Sequence, residues 1–226
     1  MRTRDAIRLI LVLASVLLMW LIANMPINIQ LKIKDTKDIL GLLKPTPAHA
    51  VVTPANKCGL SKECPADHFP FRIKSGAANV IGPKICFDGK IVMSNALNNV
   101  GSGLNILLVN GQTGEIIKAE SFNMYAGDVK GLLEFLKAIK PGTIIIVASY
   151  DEPATNMNDE IREIFTRFGS SMIKSVQYRD NWLFIGAEGI EEKSPFEKHL
   201  KNAQDTNIYD GWPEMIEMDG CFPKKI

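Results

Sequence analysis

Short apolar runs separated by polar turn residues dominate the middle of this 226-residue chain. The segments HFPFRIKSG, KICFDGKIVMS and GLNILLVNGQTGEIIKAESFNM show short apolar or alternating runs broken by Gly, Asn and Asp, a pattern typical of β-strands. Asn110-Gly111 lies between two such arms and predicts a hairpin turn. The later segment GTIIIVASY is continuously apolar and β-branched, so we expect a strand at the centre of a sheet, buried on both faces.

Two segments instead carry apolar residues at helical spacing. In GDVKGLLEFLKAIKPG this spacing predicts a helix that Asp128 caps and Pro141-Gly142 ends. In NMNDEIREIFTRFGSS it predicts a second helix, with Asp159-Glu160 in its first turn and Gly169 at its end. A short third helix is expected near SPFEKHLKN. The order of these elements indicates a mixed α/β sandwich, in which about three helices cover sheets built partly from hairpins.

A charged triplet interrupts the apolar run SVQYRDNWLFIGAEG at Arg179-Asp180-Asn181. Asp and Asn favour the backbone conformations of two-residue loops. We therefore expect a tight hairpin turn at Asp180-Asn181, with Trp182 at the start of the returning strand.

The beginning of the chain differs from the rest. Arg2 and Arg4 precede a long apolar run that contains no acidic residue, the pattern of a secretory signal peptide. We expect a signal peptide at residues 1–25, a flexible stalk at 26–57 and one globular domain at 58–226. The alternative for the first segment is an uncleaved signal anchor, which would retain the protein in the Golgi or another membrane. Both alternatives place the domain in the secretory pathway, and the leading one predicts a secreted, extracellular protein.

Charge and cysteine content narrow the function classes. The net charge of +1 gives no electrostatic argument for binding nucleic acid or an anionic membrane, and no membrane association is expected after leader cleavage. The four cysteines Cys58, Cys64, Cys86 and Cys221 form an even set, compatible with two disulfides in any of three connectivities. Their spacing is not that of a zinc site, and no metal or other cofactor is expected.

The motifs of common enzymes are missing from the sequence. It contains no G-x-S-x-G elbow, no P-loop and no H-E-x-x-H. A hydrolase that uses Asp151 and Asp159 is a weak alternative, because no nucleophile or metal set accompanies them. We therefore predict that the protein is not an enzyme and has no catalytic residues.

One group of residues has the chemistry of a binding site. Asp151 follows the predicted central strand, and Arg179 and Trp182 would approach the same edge if the later strand pairs beside it. Carboxylate and guanidinium groups hydrogen-bond to sugar hydroxyls, and an indole offers an apolar face for stacking. These three residues are candidate ligand contacts. The alternative is a structural ion pair beside a buried tryptophan.

Eight ordered segments between Lys57 and Cys221 resemble the family with sequence similarity three, the PANDER/ILEI group of secreted proteins. The segments are KCGLSKECP, SGAANVIGPKICFDGKIVMS, NNVGSGLNILLVNGQTGE, FNMYAGDV, ASYDEPATNMNDE, YRDNWLFIGAEG, KSPFEKHLKN and YDGWPEMIEMDGC. Together they cover nearly all of the predicted domain, and a match in so many blocks is specific. The resemblance does not fix the paralogue.

This resemblance implies a cytokine-like signalling ligand for a cell-surface receptor, with a compact β-β-α sandwich of twisted, largely antiparallel sheets. It implies the disulfides Cys58–Cys86 and Cys64–Cys221. Some relatives carry an additional cysteine in the strand that here reads WLFIGA. Because this chain has no cysteine there, covalent dimerisation through that strand is not expected, and we predict a monomer. A similar domain in the stem of a Golgi glycosyltransferase binds sugar. That likeness makes a glycan a possible partner of Asp151, Arg179 and Trp182.

Overall fold

The structure, a computed structural model, describes residues 13–17, 19–20 and 56–224. Nine strands and two α-helices build the part from residue 56 onward. The strands are β1 (His68–Lys74), β2 (Lys84–Phe87), β3 (Lys90–Met93), β4 (Gly103–Asn110), β5 (Ile116–Phe122), β6 (Thr143–Tyr150), β7 (Asn181–Ala187), β8 (Glu197–Leu200) and β9 (Glu217–Pro223), and the helices are α1 (Val129–Lys137) and α2 (Asp159–Arg167). Single turns of 3₁₀-helix occur at Lys57–Gly59, Asn95–Leu97 and Ile173–Ser175.

The beginning of the chain is described only in part. The chain divides into two units, residues 1–52 and 53–226, and the helical residues described before residue 56 are exposed. Among all the residues that the structure describes, no helix is long and apolar enough to cross a membrane. The predicted signal peptide (1–25) and stalk (26–57) fall mostly outside the described residues and stay predictions.

The strands form two antiparallel sheets. One has four strands in the order β3-β2-β1-β9, and the other has five in the order β5-β4-β6-β7-β8. The apolar strand β6 lies at the centre of the larger sheet and is buried from Thr143 to Ser149, as its continuous pattern predicts. Strands β4 and β5 form the hairpin predicted at Asn110-Gly111, and the side chain of Asn110 accepts hydrogen bonds from the backbone of Gln112 and Thr113.

Alternating residues of the central strands divide the core into two layers. In β6, Ile144 and Ile146 face the smaller sheet, whereas Ile145 and Val147 face the helices. Each of these side chains is fully buried, which stabilises the fold by about 1.5–3 kcal/mol per side chain. Sheet, sheet and helices are thus stacked in that order. The predicted fold class, an α/β β-β-α sandwich with largely antiparallel sheets, is confirmed.

Both long helices occur where the apolar spacing predicts them. Asp128 caps α1 by accepting a 2.8 Å hydrogen bond from the backbone of Lys130. Asn158 caps α2 in the same way through the backbone of Ile161, at 2.9 Å. These caps satisfy N–H groups that have no partner within the helix, and the helices cover the face of the larger sheet that the smaller sheet leaves open.

Two local predictions are wrong. The third helix expected near SPFEKHLKN is instead the edge strand β8, which pairs with β7. The segment before Arg179 is not a strand but a 3₁₀ turn followed by a tight turn, in which the Asp180 N–H donates to the carbonyl of Gln177. Asp180-Asn181 is therefore not a hairpin loop. In both segments a buried carboxylate accepts several hydrogen bonds that stabilise the observed structure. Glu197 does so in strand β8 and Asp180 in the tight turn.

Two disulfides tie both ends of the domain to the smaller sheet. Cys58–Cys86 joins the first 3₁₀ turn to β2, and Cys64–Cys221 joins the segment before β1 to β9. The second bond links residues 157 positions apart in the sequence. This is the pairing that the family resemblance implies.

Candidate functional site

The end of the central strand positions Asp151. This residue follows β6 directly and has a φ of 61°, a left-handed conformation that side chains other than Gly, Asn and Asp rarely adopt. Its carboxylate accepts a 2.9 Å hydrogen bond from the hydroxyl of Ser102. The Trp212 indole N–H lies 3.2 Å from both the carboxylate Oδ1 and the carbonyl oxygen of Asp151. The carboxylate is thus fixed in orientation and half-buried.

Arg179 lies just before β7, the strand that pairs beside β6. It also has a positive φ, 60°, and its backbone N–H lies 3.4 Å from the buried Glu152 carboxylate. Its guanidinium carbon lies 3.8 Å from the centre of the Trp212 ring and 4.9 Å from that of Tyr178. Nη1 lies 3.5 Å from the Gly211 carbonyl. The guanidinium is therefore held over the aromatic rings by cation–π attraction.

The Nε of Arg179 has no hydrogen-bond partner among the described residues, although it is buried. A buried donor without a partner costs about 1–3 kcal/mol. The guanidinium thus keeps an unused donor beside the cleft that it lines. Because Nε itself is buried, an ordered water is the partner that suits it best.

Trp212, rather than Trp182, is the tryptophan of this site. Trp182 is fully buried, its indole N–H donates to Glu197 at 2.8 Å, and its ring stacks on Phe184 with the planes 8° apart. The prediction that Trp182 contacts a ligand is therefore wrong, because no face of its ring is accessible. The structural alternative, a buried tryptophan, is correct for this residue. Asp151 and Arg179 are brought together through Trp212.

A polar cleft opens beside Arg179. Its volume is about 560 Å³. Besides Arg179, its walls are formed mainly by amide side chains, a phenol and a carboxylate, those of Asn202, Gln204, Asn207, Tyr209 and Asp210. Amides offer donors and acceptors without a net charge. The cleft is thus suited to a neutral, hydroxyl-rich ligand more than to a strongly charged one.

A buried pair supports the floor of the cleft. Asp180 accepts a 2.6 Å hydrogen bond from His199 and further bonds from the backbone N–H groups of Asn202 and Gln177. Burial alone would raise the pKa of Asp180, but the bond from His199 and the two backbone bonds outweigh it, so the pKa lies below its ordinary value. The pair anchors the loop that carries the amide side chains of the cleft.

Tyr150 connects the site to the loop between β1 and β2. Its hydroxyl donates a 3.0 Å hydrogen bond to the carbonyl of Asn79. Burial raises the pKa of Tyr150, and the negative charge of Asp151 raises it further.

Asp159, the other carboxylate of the hydrolase alternative, is exposed in the first turn of α2. A helix N-terminus accounts for that position without a catalytic role.

Sequence reasoning missed Trp212 and the amides of the cleft. They lie in the long segment between β8 and β9, which carries no periodic pattern and which strand and helix signals therefore pass over. The one available signal is the segment YDGWPE, where an aromatic residue stands between Gly and Pro. An aromatic side chain in such a loop is more exposed than one in a strand.

Comparison with known proteins gives consistent matches over the whole domain. A family profile described as "Interleukin-like EMT inducer" matches residues 102–190. The chain is 46% identical over 226 residues to Protein FAM3D of Mus musculus, covering 100% of both chains. It is 45% identical over 225 residues to Protein FAM3C of Homo sapiens, covering 100% of this chain and 99% of that protein. It is 54% identical over 169 residues to Protein FAM3A of Homo sapiens, covering 75% of this chain and 74% of that one.

Proposed function

The chain belongs to the FAM3 family, and from that membership we propose that it is a secreted, cytokine-like signalling ligand that acts through a cell-surface receptor and has no catalytic activity. The observation that carries the proposal is the 46% identity to a FAM3 protein over the full length of both chains. Identity over the full length includes the apolar first segment as well as the domain.

Two features of the chain support secretion. The basic and then apolar first 25 residues have the pattern of a signal peptide. Two disulfides are compatible with an oxidising compartment. All four described cysteines are paired, so the described part of the chain contributes no thiol to a covalent dimer.

The chemistry of the Asp151 site supports binding rather than catalysis. Its carboxylate already accepts hydrogen bonds from Ser102 and Trp212. The Arg179 guanidinium is stacked on an aromatic ring. Both groups are fixed in orientation, as recognition requires.

Secretion is tested by expressing the full chain in mammalian cells and examining cells and medium. We expect the protein in the medium, with a mass that shows loss of about 25 residues, since signal peptides of about 15–30 residues are removed. Retention of the full-length chain in a membrane fraction would contradict secretion and favour a signal anchor.

A lectin-like carbohydrate-binding module is the second candidate. The amide-lined cleft beside Arg179 favours it, because a sugar presents neutral hydroxyl groups to donors and acceptors. Arg179 would contact the ligand directly, since it lines the cleft. Asp151 and Trp212 are not among the residues that line it; Trp212 bonds to Asp151 and lies under the guanidinium, so it replaces Trp182 as the aromatic residue of the proposal.

A glycan array with the wild type and Arg179→Ala tests the second candidate. Binding of a defined glycan that Arg179→Ala abolishes would support it. Arg167→Ala is the matched control, because Arg167 is an exposed arginine at the end of α2. The absence of any binding that depends on Arg179 would rule out the lectin function.

A further inference from the structure

Three neighbouring loops of the domain contain no charged residue. They are residues 77–82, 94–102 and 121–127, and together they are called the neutral rim here. None of these residues is Lys, Arg, Asp or Glu, although such residues make up 23% of the chain. The uncharged stretch around the second loop runs from residue 91 to residue 114.

The three loops of the neutral rim touch one another. A Cβ atom added to Gly82 would lie 2.3 Å from Asn95 Oδ1 and 2.8 Å from Val100 Cγ2, so the first loop lies directly against the second. A Cβ added to Gly101 would lie 2.8 Å from Ser121 Oγ, so the second lies against the third. The neutral rim is therefore one surface rather than three separate loops.

Large apolar side chains point outward from this surface. Val80 is 75% exposed, Tyr125 61%, Ile81 55% and Leu97 50%. Apolar and aromatic side chains together with a lack of lysine and acidic residues distinguish the centres of protein–protein interfaces from the rest of a protein surface. These exposed side chains do not stabilise the isolated domain. A partner that covers them would remove their apolar area from water.

Local hydrogen bonds hold the loops in place. Ala77 and Ile81 exchange two backbone hydrogen bonds, of 2.8 and 3.2 Å. The Asn123 side chain accepts bonds from the backbone of Tyr125 and Ala126, each 2.9 Å long. A partner would therefore meet a surface that is already ordered, which lowers the entropic cost of binding.

We propose that the neutral rim is the surface with which the domain contacts its cell-surface receptor, and that the receptor presents an uncharged, apolar protein patch to it. This inference rests on the receptor-ligand function proposed above. The lack of charge on the rim indicates which kind of partner fits it. The rim contains no lysine or arginine to attract anionic lipid headgroups, and a strongly charged protein patch would lose its hydration there without a compensating partner.

Competition binding to intact cells tests the inference. The probe is the fluorescently labelled, full-length secreted wild type, and the competitors are unlabelled Val80→Glu, Leu97→Glu and Ile117→Glu. Ile117 is the matched control, since it is 54% exposed, close to Leu97 at 50%, but lies on β5 outside the rim. We expect each rim variant to compete at least about tenfold more weakly than wild type, and Ile117→Glu to compete within about twofold of it.

Three further measurements complete the test. Thermal unfolding should give similar midpoints for all the variants, because the substituted side chains are exposed. Treatment of the cells with trypsin should abolish binding of the wild type. Raising the salt concentration from 50 to 500 mM should change its affinity by less than about threefold, because an uncharged contact is little affected by screening.

The outcomes separate this inference from the function on which it rests. Saturable binding that the rim variants compete for as well as wild type would overturn the rim and leave the receptor function standing. A lack of saturable binding by the wild type would overturn the receptor function and the rim with it. Binding that survives trypsin, an Ile117→Glu variant as weak as the rim variants, or a wild-type dimer that Leu97→Glu dissociates would each overturn the rim as a receptor contact.

Discussion

Asp151 and Arg179 both have a positive φ and meet at one aromatic ring. Their φ values of 61° and 60° lie in the left-handed region, where a residue other than Gly costs on the order of 1–3 kcal/mol. Both side chains contact Trp212, one through the indole N–H and the other through the ring face. Strain of this kind persists when surrounding contacts fix it, and it occurs frequently at binding sites.

Gly211 gives a direct test of how the cleft is built. It has a φ of 81°, and a Cβ there would lie 2.8 Å from Nη1 of Arg179. Gly211→Ala should therefore displace the guanidinium and weaken any ligand binding in the cleft, in addition to a loss of stability of about 1–2 kcal/mol from the backbone conformation. Chemical denaturation and glycan binding measure the two effects.

Gly142→Ala is the control for this variant. Gly142 has a similar φ of 78°, but a Cβ there would meet nothing within 4 Å. It should lose stability to a similar extent and leave the cleft unchanged. Equal effects of the two variants on binding would show that Gly211 does not position Arg179.

The Asp180–His199 pair predicts a specific dependence of stability on pH. The folded-state pKa of Asp180 is below the ordinary value of 3.8, so its contribution to stability is complete above about pH 4 and is lost as the pH falls from there through the folded-state pKa. The free energy of unfolding of the wild type should therefore fall more steeply between pH 4 and pH 2 than that of Asp180→Asn. Parallel curves for the two proteins, from urea denaturation at each pH, would contradict this.

At the scale of elements, the sequence predicts a helix or strand correctly where its own apolar spacing determines the structure. Strand β6 and helices α1 and α2 match their predicted segments because the apolar spacing of each fits one environment. The segment SPFEKHLKN is different. Its Phe196 and Leu200 are four residues apart, as in a helix, but Glu197 between them is buried and accepts hydrogen bonds from Ser170, Ser171 and Trp182. Contacts with distant residues fix that segment as a strand.

Contacts between residues that are distant in sequence also limit how much of the site can be predicted. Asp151 is predictable because it directly follows a strong strand signal. Trp182 has the expected chemistry, but only the packing of Phe184 and Phe165 against it shows that it is buried. Trp212 is 61 residues from Asp151, and no local pattern joins the two. The sequence therefore predicts the residues that strands position, and not those that a long loop brings back to them.

The cap of α2 tests one contribution at this scale. Asn158 accepts from the Ile161 N–H, and Asn158→Ala should lower the free energy of unfolding by about 1 kcal/mol. Asn158→Asp keeps a capping oxygen and should lose much less. The measurement is chemical denaturation of both variants, and equal losses would show that the cap does not contribute.

At the scale of the whole molecule, the two disulfides should contribute unequally to stability. Cys64–Cys221 spans 157 residues of sequence and Cys58–Cys86 spans 28. In the loop-entropy description, removal of the longer link by a Cys64→Ser, Cys221→Ser double substitution should cost about 5 kcal/mol, and removal of the shorter about 4 kcal/mol. Guanidinium denaturation of the two double variants measures the order, and a larger loss for the shorter link would contradict the entropic account.

The whole domain also separates its two candidate surfaces. The cleft beside Arg179 is polar and rich in amides, whereas the neutral rim is apolar and exposed. Two hydrogen bonds join the rim to the end of β6. Tyr150 donates to the carbonyl of Asn79, and Ser102 donates to the carboxylate of Asp151. Variants of each surface therefore test the two proposals separately.

Saturation binding of the labelled, secreted protein to intact cells, before and after trypsin treatment, tests the proposed receptor-ligand function most directly. The proposal predicts saturable binding that unlabelled wild type displaces and that trypsin abolishes. Non-saturable binding on every cell type, or saturable binding that withstands trypsin and is lost only when surface glycans are removed, would contradict it.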